Sequence, residues 1–178
     1  NVLWGNQSVE NPDNYLKVIL NTLNQVLEPE RPKGEPSFFV ERQQDRYRLN
    51  PNARIIVDID IFNQEISKNT RNSLERAINL YQGRFFAGSY IQEWLSIDEQ
   101  YYHQQFLLAA EKLADLQIEA GQFEEALETT HKMLNEDLLY ELAYRLQMTI
   151  FHKMGNLSLI NESFQHCKDV FREQLGSQ

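Results

Sequence analysis

Two glycines placed 34 residues apart, Gly121 and Gly155, constrain this chain more than any other feature. Each follows a run of helical periodicity. Each is followed by a polar residue and then an apolar one, as GQF with Phe123 and GNL with Leu157. Glycine in such a place stops a helix, because it enters the left-handed backbone region without a steric penalty. Three residues beyond the apolar positions stand Ala126 and Ile160, and ahead of the glycines Leu113-Ala114 aligns with Gln147-Met148. A helix–stop–helix unit written twice at a fixed period cannot bury its apolar face alone, so the copies must stack and share a core.

A period of 34 residues is that of the tetratricopeptide repeat. LADLQIEAGQFEEALETTHKML fits that pattern well; the second copy fits by period more than by residue identity, and neither ends in the expected proline. From about Thr70 onward the whole chain reads as helix. NSLERAINLYQG ends near Gly83, SIDEQYYHQQFLLAAEKLADLQIEAG ends at Gly121, and QFEEALETTHKMLNED follows. LLYELAYRLQMTIFHKMG ends at Gly155, and NLSLINESFQHCKDVFREQLG closes the series. Short connections between such helices predict antiparallel pairs.

The first third is organised differently. Residues 12–28 read as an amphipathic helix, with Leu16, Ile19, Leu20, Leu23, Val26 and Leu27 on one stripe at three- and four-residue steps. Asn11 suits the N-cap, Pro12 the first helical position and Asp13 the first turn, and Glu28-Pro29 ends the helix. Its other face is Asn14, Asn21, Thr22, Asn24 and Gln25, where an ordinary exposed helix carries Lys and Glu. After EPERPKGEPS, the stretch FFVERQQDRYRLNP places Phe39-Val40 and Tyr47-Arg48-Leu49 on either side of a polar tip, a β-hairpin pattern. RIIVDIDIF, with Ile55, Val57, Ile59 and Ile61 at alternate positions, predicts a short β-rich junction.

Charge separates the same two regions. Of a formal net charge of −9, residues 1–50 contribute six basic and seven acidic side chains, and the remainder eleven and nineteen. An acidic chain does not coat nucleic acid or anionic membrane non-specifically, although a local basic feature can still act. One cysteine, Cys167, excludes an internal disulfide framework and fits a reducing cytoplasm. No apolar run approaches the ~20 residues of a membrane span, and no signal peptide is visible. The chain opens on NVLWG rather than on methionine, as a fragment of a longer protein would.

Together these stretches resemble a known family. LERAINLYQGRFFAGSYIQEWLSIDEQ, the repeat region and FQHCKDVFREQLG are similar to the bacterial transcriptional activation domain, a tetratricopeptide-like helical domain of antibiotic-pathway-type regulators. The resemblance includes a turn formed here by Leu80, Tyr81, Gly83 and Phe85, a tryptophan after it (Trp94), and the closing Leu175-Gly176. Upstream, Leu3-Trp4-Gly5, the helix from Pro12 and the hairpin resemble the second half of a response-regulator-type winged helix-turn-helix. These would be the end of its positioning helix, its recognition helix and its wing. The winged domain's own first strands and first helix are not in the sequence, so part of the surface that would cover the apolar stripe is missing.

The resemblance implies a mainly α fold. It divides into residues 1–54 as the C-terminal part of a winged domain, 55–69 as linker and 70–178 as the helical repeat. The region from Phe62 to Tyr81 is shorter than the family's usual form, which implies a truncated first helix pair. The implied function is a DNA-binding transcriptional regulator, with double-stranded DNA and protein partners (itself, as a homodimer, or RNA polymerase). Asn14, Lys17, Asn21, Thr22 and Gln25 would read the major groove, since amides pair with adenine and threonine meets thymine. Arg42, Arg46 and Arg48, alternating on the hairpin and so expected on one face, would meet phosphate or the minor groove. The blander alternatives are a solvated helix face and a charged hairpin with Glu41 and Asp45 as partners. They lead to a rival reading, a protein-interaction module whose winged helix no longer binds DNA.

No enzyme constellation is evident, and neither cofactor nor metal is expected. His166 and Cys167 are adjacent, so on one helix they diverge rather than chelate. QGRFFAG, with Gly83 and Gly88, lacks the lysine and hydroxyl residue of a phosphate loop. Trp94, Tyr101, Tyr102 and Phe106 read as repeat core, and Glu124, Glu125 and Glu128 as helix-dipole partners rather than catalytic acids.

Overall fold

The computed structural model describes residues 11–44, 46–84 and 93–176, the side chains of residues 93–95 excepted. Leu3-Trp4-Gly5, Asp45, Phe85, Gly88 and the Trp94 side chain lie outside the described residues. The chain divides into two compact units between Ile56 and Val57.

The first unit contains α1 (Pro12–Leu27) and a two-stranded antiparallel sheet, β1 (Val40–Gln43) with β2 (Arg46–Leu49). Asn11 caps α1 as expected, its Oδ1 accepting from the Asn14 amide at 3.2 Å. No residue of α1 is buried; the apolar stripe is open to solvent, with Val26 73% exposed. What holds this unit together is a polar joint. Glu28, at the C-cap of α1, accepts from the Ser37 hydroxyl and from the Phe38 amide (3.0 Å). These bonds hold its carboxyl below the usual carboxylate range, with Arg31 adding to the effect. Asn50, buried, closes the base of the hairpin by donating from its side chain to Phe38 O (2.7 Å) and from its backbone to Phe39 O (2.9 Å).

The second unit is the helical repeat: α2 (Asp58–Lys68), α3 (Arg71–Leu80), α4 (Glu93–Glu119), α5 (Phe123–Glu136), α6 (Glu141–Lys153) and α7 (Leu157–Leu175). Each helix packs on its neighbour in sequence, and α4 also touches α6, the contact expected between first helices of stacked pairs. Fully buried alanines allow the close approaches: Ala77 in α3, Ala110 and Ala114 in α4, Ala126 in α5 and Ala143 in α6. Leu74, Phe106, Leu113, Met133, Tyr144 and Ile150 fill the rest of the core. The fold is therefore mainly α with one small sheet, as expected.

The 34-residue period is reproduced in the backbone. At the first stop, Gly121 has φ +73° and its amide donates to Ile118 O (3.1 Å), while the Gln122 amide donates to Gln117 O (2.9 Å). At the second, Gly155 has φ +73°, Gly155 N–H reaches His152 O (3.0 Å) and Asn156 N–H reaches Phe151 O (2.9 Å). These are the two bonds of a Schellman C-cap, offset by one period. The poor identity of the second copy also has a local reason. Gln147 occupies the place of Leu113 and is buried, but it shares a hydrogen bond with Ser163 (3.3 Å). In the first copy the hydroxyl at the equivalent place, Thr129, bonds instead to Gln117 (2.8 Å).

The structure corrects expectations at the junction and in the core. RIIVDIDIF is not β-rich, and residues 55–69 are not a plain linker, since α2 occupies Asp58–Lys68. Alternation of isoleucines mimicked a strand, whereas Phe62, Glu65 and Ile66, three and four residues apart, are the positions that meet the core. Asp58 and Asp60 favour a helix start, and Asn69 ends it in the left-handed conformation at φ +53°. The first helix pair is built from helices of 11 and 10 residues. It is clamped by Glu65, whose carboxylate pairs with Lys68 and with Arg76 Nη2 at 2.9 Å. Tyr101, expected in the core, is exposed, whereas Phe106 is buried and Tyr102 packs against the core.

Candidate nucleic-acid interface

The candidate residues of the first unit fall into two groups. On α1, steps of three and four residues at ~100° per residue put Asn14, Lys17, Asn21 and Gln25 in one line, with Thr22 beside it. All five are exposed. Leu16, Leu20 and Leu23 lie on the opposite side. No carboxylate stands within the line: Asp13 lies at its edge, and Glu28 is turned back into the joint with Ser37 and Phe38. The Thr22 hydroxyl donates to Val18 O (3.1 Å), so its hydrogen is engaged with the helix backbone. Lys17 is the only basic residue of α1.

One residue of this face was not singled out from sequence. Val18 stands one turn after Asn14 and one turn before Thr22, and is 62% exposed. The signal was present, because a valine at that spacing cannot belong to the leucine stripe.

The hairpin corrects a further expectation. Its register pairs Val40 with Leu49, Glu41 with Arg48, Arg42 with Tyr47 and Gln43 with Arg46. A two-residue loop pairs even with odd positions, and paired residues share a face. Arg46 and Arg48 therefore share a face with Glu41 and Gln43, while Arg42 lies on the other face with Tyr47. Alternation holds within one strand, and parity reverses across the turn. Arg42 donates to Gln44 O (3.0 Å), and its guanidinium stands 5.9 Å from the Tyr47 ring centroid. Arg48 gives two hydrogen bonds, at 3.0 and 2.9 Å, to one oxygen of Glu41, so its charge is largely answered within the hairpin. Arg46 is exposed, and none of the ion pairs among the described residues includes it.

In the second unit Tyr81 anchors the turn after α3. Its ring stacks on Phe106 at 4.3 Å, and its hydroxyl lies 3.4 Å from His103 Nδ1. Burial, then the negative charge of Glu136, pushes the Tyr81 hydroxyl up to about 12. Burial, then Arg84, lowers His103. A neutral hydroxyl beside a neutral imidazole is a packing bond, not an acid–base pair at neutral pH. A cavity of about 190 Å³ opens between Phe62, Tyr81 and Tyr102. Among the described residues no group of three or more His, Cys, Asp or Glu side chains is placed to hold a metal ion, and none of the helices is long and apolar enough to cross a membrane. Cys167 is free and packs at the edge of the core, where burial raises its thiol.

Comparison with curated proteins finds no match to the chain. The family model described as bacterial transcriptional activator domain matches residues 62–178. That match begins inside α2 and runs through both copies of the repeat, so it spans most of the chain and all but the start of the helical unit. With the paired antiparallel helices, the two equivalent glycine stops and the buried alanines already accounting for the fold, the chain belongs to the bacterial transcriptional activator domain family.

Proposed function

We propose that the chain is the DNA-binding and partner-binding part of a bacterial transcriptional regulator. Family membership supports a regulatory role in transcriptional activation. Residues 1–54 act as the C-terminal part of a winged helix-turn-helix, and the acidic helical unit contacts protein, either a second copy or the transcription machinery. The observation that carries this reading is the exposed, carboxylate-free line of Asn14, Lys17, Asn21 and Gln25 with Thr22 beside it, ahead of a hairpin that offers Arg46. α1 enters the major groove and the hairpin lies on the backbone or minor groove. With Arg48 tied to Glu41, Arg46 supplies most of the hairpin's phosphate attraction; Arg42, on the other face, contributes only if that face also meets DNA.

The rival reading, a protein-interaction module with a winged helix that no longer binds DNA, draws on the same Arg48–Glu41 pair and on the single cation of α1. Binding of the 178-residue protein to duplex DNA at several salt concentrations separates the two. The regulator gives a log K that falls with log salt at a slope of about −0.9 per phosphate neutralised, and it prefers one sequence. Arg46→Ala then weakens binding on every sequence, whereas Asn21→Ala relaxes preference at one base position. Weak, salt-insensitive binding without preference would sink the proposal, and an inert Asn21→Ala would remove α1 from the groove.

A further inference from the structure

We infer that α1 reads A·T base pairs, and that Val18 and Thr22 are specificity-determining residues that detect the 5-methyl group of thymine. The inference rests on the DNA-reading proposal and goes beyond it by naming the bases. Val18 is 62% exposed on the polar side of α1, opposite Leu16, Leu20 and Leu23. An isolated exposed valine is ordinary on a protein surface. This one is bordered by Asn14, Tyr15, Asn21 and Thr22 at helical neighbour spacing. Because the Thr22 hydroxyl donates to Val18 O (3.1 Å), Thr22 presents its methyl group and an acceptor oxygen rather than a donor. Two β-branched side chains one turn apart thus make a small methyl-bearing patch between the amides of Asn14, Asn21 and Gln25.

The major-groove edge of an A·T pair has the complementary pattern. Adenine offers N7 and the N6 amino group, which one amide can bond bidentately, and thymine offers its methyl group to an apolar contact. The other bases find few partners on α1. Cytosine is read by a carboxylate accepting from its N4 amino group, and none stands within this line. Guanine is read chiefly by arginine or lysine, and α1 has Lys17 alone. Amides interleaved with methyl groups therefore fit successive A·T pairs, with at most one guanine.

The test uses the 178-residue protein. Its preferred duplex is selected from a random-sequence pool, and each thymine is then replaced singly by deoxyuridine, which removes only the methyl group. One or two neighbouring positions should each lose about fourfold in affinity, the effect of one methyl-sized group leaving an apolar contact. Val18→Ala should abolish the thymine–deoxyuridine difference at one of these positions and keep it at the other. The helix survives this change, since alanine is the better helix former and Val18 makes no core contact. A selected site dominated by G·C pairs, deoxyuridine tolerated at every position, or a Val18→Ala variant whose thymine–deoxyuridine differences match the parent's at every position would each overturn the inference while leaving the regulator intact. Failure to select any sequence would overturn both.

Discussion

Replacing Gly121 or Gly155 with alanine tests the repeat at the point that defines it. Both residues have φ +73°, and a Cβ built on either meets nothing within 4 Å. The substitution therefore costs conformational energy alone, with no steric term. Holding an L-residue in the left-handed region costs ~1–2 kcal/mol. Removing glycine's freedom from the unfolded chain returns about 0.4–1 kcal/mol. The net loss is roughly 1 kcal/mol at each site, and it should be equal at the two sites because the same pair of hydrogen bonds closes both turns. Urea unfolding followed by helical circular dichroism measures it. With a slope of about 2 kcal/mol per molar urea, each variant should lower the midpoint by roughly 0.5 M, and the double variant by about twice that. Asparagine, which tolerates this region better, should cost less than alanine at both positions. A Gly155→Ala variant as stable as the parent, or one several-fold more damaging than Gly121→Ala, would refute the claim that the two stops are structurally equivalent.

Three further outcomes are expected. Lys68 and then Arg76 hold the Glu65 carboxyl below the usual carboxylate range; a depressed folded-state pKa contributes stability at neutral pH that is lost as pH falls through it. Glu65→Gln should accordingly be destabilising at pH 7, with the difference from the parent shrinking on acidification below the ordinary carboxylate pKa; a difference constant with pH counts against the clamp. Tyr144, fully buried, donates its hydroxyl to Leu138 O (3.2 Å), so Tyr144→Phe should cost about 1–2 kcal/mol in the same urea experiment, and no loss would mean that this bond contributes nothing. Cys167, its thiol raised by burial and then by Glu141, should react with iodoacetamide at pH 7.5 more slowly than in the urea-unfolded chain, and equal rates would place it outside the packed edge.

Much of the fold was readable in the chain because the deciding interactions are local. The glycine stops, the N-cap Asn11, and the three- and four-residue apolar spacing are short-range instructions, and each appears where it was expected or within a few residues. RIIVDIDIF is ambiguous for the complementary reason. Within nine residues, alternating isoleucines satisfy a strand pattern and a helix pattern alike, and only burial of Phe62 with Ile66 packed beside it selects the helix. The candidate interface divides along the same line. Which α1 residues share the polar side follows from helical pitch, but that Glu28 is withdrawn from this side depends on Ser37 and Phe38, nine and ten residues away.

By itself, then, the sequence determined the period, the helix boundaries set by caps and glycines, and the identity of the groups on the polar side of α1. Tertiary structure alone decided which face of the hairpin each arginine occupies, that Arg48 pairs with Glu41 while none of the ion pairs among the described residues includes Arg46, and that Gln147 can be buried because Ser163 meets it. Backbone preference is encoded residue by residue, whereas the charge a side chain offers and the cost of burying it depend on partners that only folding brings together.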